Sequence, residues 1–371
     1  MCANKMESIV PSVSILLPVY NGAEYLRRAI DSLLGQSFTD FELIILNDGS
    51  TDSSQDIIDS YSDSRIVRVH HDNMGLHRTL NKGLSIAKGK YICRMDQDDI
   101  AAPDRLEMQI SFLDSNPEVG LVGSTSWLAE IDGEVKRIVS YAFSDYEIRW
   151  FLLFDNPMIH SSVMFRRAVI ALSGGYEEDK IYNYAEDYDL WSRMAQHTRI
   201  HNIDQPLVTR FDVPGGMSLS NLQKQQQQAL KISDRNIHNY LGGTYPLSDI
   251  DTAILKSAWL RTDLPGDISP IYVLKRLPKL ARTILLLFDN VYKVYSPEER
   301  NLAREWIASK YREAHQQSIM VLLRASFVAG LQPNKVQKFR IIIGLTPKVM
   351  YILLKKGLRL PRRMIGYLSK V

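Results

Sequence analysis

Apolar runs and amphipathic stretches alternate through the first hundred residues. Val13 to Leu17 is a short apolar run closed by Pro18, and it predicts a buried strand. Asn21-Gly22-Ala23-Glu24 then reads as a helix start, with Asn21 as N-cap and Glu24 three residues on. Leu26, Ile30, Leu33 and Leu34 form the apolar stripe of that helix, and Gly35 ends it. Phe41 to Leu46 predicts a second buried strand, followed by the turn residues Asn47-Asp48-Gly49-Ser50. A helix from Thr51-Asp52, a strand over Arg65 to His70, a helix over Gly75 to Ala87 and a strand over Tyr91 to Met95 complete the pattern. Strands separated by helices of this length imply βαβ units and a mainly parallel sheet. Ligands bind such sheets at the carboxyl ends of the strands, and Asn21, Asp48 and Asp96 each sit just past one.

The pattern is mixed from about 145 to 218 and changes near 220, where Gln223 to Gln228, nearly all Gln, opens a series of long helical segments. The expected division is therefore 1–220 and 221–371. A length of 371 residues suits two domains. The composition, with 45% hydrophobic and 23% charged residues, excludes a disordered or fibrous chain. Two cysteines, Cys2 and Cys93, exclude a disulfide scaffold and fit a reducing compartment. No secretory signal pattern is expected at the N-terminus, and no apolar stretch reaches membrane-spanning length.

The net charge of +3 conceals an asymmetry. Residues 331–371 hold ten basic side chains and no acidic one, leaving 35 basic against 42 acidic, a net −7, on the other 330. A basic tail rich in Ile and Leu on an acidic body points to an anionic membrane surface and away from nucleic acid.

Three segments carry candidate chemistry. Asp96-Gln97-Asp98-Asp99 sets three carboxylates at a strand end. It is either a solvated acidic turn or a site whose repulsion a divalent cation offsets, and oxygen-only ligands favour Mg²⁺ or Mn²⁺ over Zn²⁺. Asn47 to Asp52 is either a plain turn into a helix or a place where Asp48 accepts hydrogen bonds from a nucleobase. Glu186-Asp187-Tyr188-Asp189-Leu190-Trp191 is either a charged helix start or the seat of a general base. His160 is a ligand, a proton carrier or a core histidine. Neither a P-loop nor a GxGxxG fingerprint occurs.

Taken in order, these segments resemble the family 2 inverting glycosyltransferases of GT-A fold. The resemblance rests on Pro18-Val19-Tyr20-Asn21, Asn47 to Asp52, Ala87 to Ile92, Asp96 to Asp99, Asn156 to Met164, Gly174-Gly175-Tyr176 and Glu186 to Trp191. It covers about residues 11 to 220. It implies a GT-A-type, Rossmann-like α/β fold with a mixed, mainly parallel sheet flanked by helices, followed by a largely helical C-terminal region. By the same resemblance Asp48 contacts the nucleobase, with Pro18, Tyr20 and Asn21 shaping that pocket. Asp96 touches ribose or sugar, Asp98 ligates Mn²⁺ or Mg²⁺, and Asp99 supports it. Asp187 is the catalytic base with Glu186 beside it, while His160 and Trp191 lie toward the acceptor. In the family's Arg-x-His position the chain reads Arg210-Phe211-Asp212, so Asp212 either adds a metal ligand or replaces a lost role.

The implied activity is transfer of a single sugar from a nucleotide-sugar, a UDP-sugar first, to a saccharide or lipid-linked saccharide acceptor, as in cell-surface polysaccharide synthesis. The competing readings are a sugar-nucleotide nucleotidyltransferase and a non-catalytic nucleotide-sugar-binding scaffold. The former wants a Gly-rich basic loop where the chain has Pro18 to Gly22. Lys348 to Leu368 joins an apolar run to Lys355, Lys356, Arg359, Arg362 and Arg363, and Lys275 to Phe288 repeats the pairing. Both predict peripheral attachment, placing the protein in the cytoplasm at the inner face of the membrane.

Overall fold

In the computed structural model the described residues are 10–131, 133–179, 184–211, 213, 221–242, 247–260 and 270–312. Asp212 and the basic tail lie outside them. Two compact units divide at Ile232/Ser233.

The first unit is built on a mixed sheet, and its parallel block comes first in the chain. Strand β1 (Val13–Val19) pairs in parallel with β2 (Phe41–Asp48) and with β4 (Tyr91–Arg94), and β2 pairs with β3 (Ile66–His71). Every residue of β1, β2 and β4 is buried. This is why their sequences read as continuous apolar runs, since helices cover both faces of a parallel sheet. At the edge, β3 is buried only at its first residue and then alternates between partly and fully exposed positions. Helix α1 (Ala23–Leu34) buries Leu26, Ala29, Ile30 and Leu33 against this sheet, each large side chain contributing about 1.5–3 kcal/mol. Helices α2 (Ser54–Asp59) and α3 (Leu76–Ile86) complete the βαβ units.

Pro18 does not end β1, as its sequence suggested; the strand continues through Pro18↔Leu46 and Val19↔Asn47. Pairing with β4 stops at Leu16↔Arg94, so the N–H that proline lacks has no acceptor waiting on that side. Asn21 likewise does not cap α1. Its φ of 48° turns the chain, Gly22 takes the cap position, and its side-chain Oδ1 accepts from Thr51 N at 2.8 Å instead.

Beyond β4 the sheet continues through β5 (Ile100–Ala101), β6 (Val119–Ala129), β7 (Val135–Val139), β8 (Met164–Arg166) and β9 (Arg199–Phe211), in the order β3-β2-β1-β4-β8-β6-β9-β5 with β7 added to β6. Pairing is antiparallel at β4–β8, β6–β8, β6–β7 and β5–β9, and parallel at β6–β9. Helices α4 (Arg105–Ser115), α5 (Asp145–Phe151), α6 (Arg167–Ser173) and α7 (Glu186–Met194) flank these strands.

Helix α8 (Leu222–Leu241) contains the glutamine run. The composition change near 220 therefore marks the start of one continuous helix, and the boundary between the compact units falls inside it. The second unit holds α9 (Asp249–Leu260), α10 (Pro270–Val291) and α11 (Pro297–Arg312), the largely helical region expected. Leu280, Ile284, Leu287 and Phe288 of α10 are all buried, while Arg276 and Lys279 pair with the buried Asp251 at 3.0 and 3.1 Å. That argues against the reading of Lys275 to Phe288 as a membrane-facing segment, because these four apolar side chains belong to the core of the helical unit. Among the described residues no helix is long and apolar enough to cross a membrane.

Candidate active site

The carboxyl ends of β1, β2 and β4 meet at one edge, and hydrogen bonds between their loops fix them together. Gln97 clasps the turn after β1: its Oε1 accepts from Tyr20 N at 2.9 Å and its Nε2 donates to Tyr20 O at 3.1 Å. A Cβ on Gly22 would stand 2.3 Å from the same amide. Asn21 N and Gly22 N donate to Ser50 Oγ and Ser54 Oγ, both at 3.0 Å, and Ala23 N to Asp52 Oδ2 at 3.0 Å. The ring of Tyr20 is half exposed above this clasp, and Pro18 is buried below it.

Asp48 is buried at the end of β2. Its Oδ1 accepts from Met74 N at 2.7 Å and its Oδ2 from Gly75 N at 3.0 Å, with His71 Nδ1 at 3.5 Å. The carboxylate thus holds the β3–α3 loop against the strand ends. Gly49, at φ 69°, lets Asn73 N come within 2.6 Å of where a Cβ would be.

After β4 the chain delivers Asp96, Asp98 and Asp99, whose carboxylate oxygens lie within 4.8 Å of one another. Arg94, buried at the strand's end, forms an ion pair with Asp96. Burial, then the charge of Asp96, pushes Asp98 up to about 6. Burial, then Asp96 and Asp98, pushes Asp99 up to about 7, with Arg210 opposing in both cases. Three carboxylates this crowded resist ionising together, and an all-oxygen set of this kind fits a hard divalent cation such as Mg²⁺ or Mn²⁺. Beneath them Arg105 is fully buried and donates to Arg94 O at 2.8 Å and to Gln109 Oε1 at 3.1 Å.

Asp187 stands in the first turn of α7. Asn156 Nδ2 donates to its Oδ2 at 2.7 Å and Tyr188 N to its Oδ1 at 2.8 Å. Burial, then the neighbouring charge of Glu186, pushes Asp187 up to about 7, while Arg94 and Asn156 pull the other way. A carboxylate poised there can take a proton near neutral pH. Glu186 is buried 3.5 Å from His77 Nε2 on α3.

His160 lies in a 3-10 turn, His160–Ser162, with its Nε2 2.8 Å from Tyr176 Oη. Burial, helped by the charges of Arg94 and His77, holds it well below the usual histidine value, so the ring is neutral at pH 7. Trp191 is fully buried, edge-on to His160 at 5.8 Å and against Phe165 at 6.2 Å. That corrects its expected place on the acceptor side: it supports the site from beneath and offers an acceptor no surface.

The structure adds residues that the sequence reading gave no role. Asn156 and Tyr176 lay in motifs already singled out. Arg94, a cation inside an apolar run and two residues from a carboxylate, was a readable signal. His77 carried none and Arg210 was marked only by its place in the Arg210-Phe211-Asp212 motif, because only the fold brings them to Glu186 and to the acidic cluster.

Comparison with known proteins bears on the family and the fold. Residues 14–171 match the model of Glycosyl transferase family 2. An uncharacterized glycosyltransferase of Haemophilus influenzae is 32% identical over 246 residues, 62% of this chain and 75% of the relative. The amylovoran biosynthesis glycosyltransferase AmsE of Erwinia amylovora is 29% identical over 257 residues, 68% of this chain and 90% of its own. Among solved structures, TarS 1–349 of S. aureus in complex with UDP-GlcNAc superposes with a TM-score of 0.52 at 15% identity, over 89% of this chain and 91% of that one. The likeness is one of fold, the curled GT-A sheet with its flanking helices. With carboxylates at the strand ends, a family model over the strand-and-helix core and a relative matched over three quarters of its length, the chain belongs to the family 2 glycosyltransferases.

Proposed function

We propose that the protein is an inverting, metal-dependent glycosyltransferase that moves one sugar from a nucleotide-sugar, a UDP-sugar first, to a saccharide or lipid-linked saccharide acceptor. The observation that carries this reading is the pairing of Asp187, held near neutral pKa, with the crowded Asp96, Asp98 and Asp99, both acted on by the buried charge of Arg94. AmsE, named for the synthesis of a polysaccharide, supports a role in cell-surface glycan assembly.

Each residue's part follows from its place. Pro18, Tyr20, Asn21 and Asp48 frame the nucleotide, the first three through the clasped turn and Asp48 through the loop it fixes. Asp98 and Asp96 would hold Mn²⁺ or Mg²⁺ with Asp99 in support and Asp212 as a further candidate ligand, and the cation would supply charge stabilisation for the departing diphosphate. Asp187 accepts the proton of the acceptor hydroxyl as that oxygen attacks the anomeric carbon opposite the leaving group. One displacement inverts the centre. Glu186 tunes Asp187 by its charge, and neutral His160 lines the acceptor side. The basic tail attaches the enzyme to an anionic membrane surface at the cytoplasmic face, where a lipid-linked acceptor resides.

Nucleotide release from UDP-, GDP- and dTDP-sugars, with Mn²⁺ and with EDTA, tests the reading. One donor should be hydrolysed slowly with Mn²⁺, not with EDTA, and not by Asp98→Ala. Failure of every donor to bind or turn over would overturn it.

A further inference from the structure

Two arginines and a tyrosine stand near the site with no task given to them above. In the sheet, Leu128 of β6 stands opposite Arg137 of β7 on one side and Arg210 of β9 on the other. Residues directly opposite across strands share a face, so both guanidinium groups rise on the face that carries Leu128, their backbones about 10 Å apart. Arg210 is half-buried. The antiparallel pair Ile100↔Thr209 sets Arg210 opposite Asp99 in the next register step, which turns its face toward the acidic cluster. Arg137 lies outward of it and is exposed. Neither arginine has a hydrogen-bond or ion-pair partner among the described residues.

The chain leaving β7 then passes the base. Asn202 Nδ2 donates both to Ala142 O at 2.7 Å and to Pro157 O at 3.0 Å. One amide therefore pins the residue after Tyr141 to the residue after Asn156, which holds Asp187. Tyr141 is 40% exposed. Burial of part of the side chain pushes the phenol up, with Arg210 and Arg137 opposing and Asp155 and Asp187 adding. An exposed aromatic ring on a segment tied to the one that holds the base, with unpaired cations near it, is a surface for a sugar that carries negative charge.

We propose that Tyr141, Arg137 and Arg210 form an acceptor subsite for a saccharide bearing an anionic group, a phosphate or a carboxylate. The proposal rests on the glycosyltransferase reading above and names the acceptor's chemical class. The sugar ring lies on Tyr141, its anionic group meets Arg137 with Arg210 inward of it, and the attacking hydroxyl is turned to Asp187. Two donors on each planar guanidinium suit the paired oxygens of either anion.

Binding of three probes to the full chain, followed by saturation-transfer NMR in EDTA, tests this. The probes are methyl β-glucoside, methyl β-glucuronide and glucose 1-phosphate. EDTA leaves the acidic cluster unable to recruit an anion through a cation. At least one anionic probe should bind about fivefold more tightly than the neutral one, the worth of one exposed charge contact. Arg137→Glu should erase the preference and Arg137→Lys should keep part of it. Which anion is preferred distinguishes a phosphate-bearing from a uronate-bearing acceptor. Equal binding of all three, a preference that survives Arg137→Glu, or no binding of either anion at about 10 mM overturns the proposal. Nucleotide binding with Mn²⁺ on the same sample reports separately on the donor side. Its absence alongside an intact anion preference would sink the glycosyltransferase reading and leave the anion subsite standing.

Discussion

Asp187 couples activity and stability in opposite senses. As a base it works only when ionised, so kcat/KM should rise with pH through about 7 and then level off. Asn156 favours the ionised form by its 2.7 Å hydrogen bond, so Asn156→Ala should shift that limb to higher pH and lower the rate near neutrality. A full pH–rate profile of both proteins checks the shift, and an unmoved limb would mean that another group titrates. The folded-state pKa lies above the unfolded value of 3.8, so folding favours the protonated carboxyl. Stability is therefore lost as pH climbs from about 4 to about 7 and is flat above. Asp187→Asn should abolish transfer, by about 10²–10⁴-fold, yet unfold at a temperature that increasingly exceeds the parent's over that same interval. Calorimetric melting at pH 4.5 and pH 7.5 reads the difference. Residue types and order made Asp187 and Glu186 legible in the sequence. Their environment was not: Asn156, Arg94 and His77 arrive from three other parts of the chain, and burial of Trp191 follows from its packing against His160 and Phe165, which no local pattern displays.

Loops tied to one another turn separate strand ends into one surface, and this is where element-scale changes should act. Gly49→Ala forces a side chain into φ 69° and against Asn73 N, and should cost about 1–3 kcal/mol in denaturant unfolding. Because that strain falls on the loop Asp48 holds, donor affinity should fall with it. Gln97→Ala removes both bonds to the Tyr20 backbone from a partly exposed position. It should raise KM for the donor several-fold while moving unfolding by less than about 1 kcal/mol, and an unchanged KM would show that the clasp is dispensable. The parallel strands were readable because burial on both faces leaves an unbroken apolar run, as in Leu43 to Leu46. Caps were less so. Asn21 carries the residue type of an N-cap, but the tight turn after β1 needs a left-handed residue there, and long-range bonding to Thr51 won. Strand order from β5 onward was not legible at all, since β6, β8 and β9 find partners far away in sequence.

At the scale of the whole molecule, charge separates what packing cannot. Of the two basic–apolar segments, α10 commits Leu280, Ile284, Leu287 and Phe288 to the core of the helical unit and two of its cations to Asp251. Membrane attachment through it would require that core to open, and burial of Leu280, Ile284, Leu287 and Phe288 opposes this by several kcal/mol. The proposed attachment therefore falls to residues 331–371, with ten basic side chains and no acidic one. Each charge near anionic lipid is worth about 1 kcal/mol and is screened within roughly 8–10 Å in physiological salt. The full chain should co-sediment with vesicles containing phosphatidylserine, should not do so with purely zwitterionic vesicles, and should be released by about 0.5 M NaCl. Replacing Lys355, Lys356, Arg359, Arg362 and Arg363 by Gln should weaken binding by over about a hundredfold. Replacing Arg276 and Lys279 by Gln should leave vesicle binding intact and lower the melting temperature instead, because Asp251 is then buried without its partners. If the second pair of changes releases the protein while the first set does not, the helical unit and not the tail is the membrane-facing part. An acidic catalytic body held to an anionic surface only by its tail would itself be repelled from the lipid, so the charge of the tail alone must offset that repulsion.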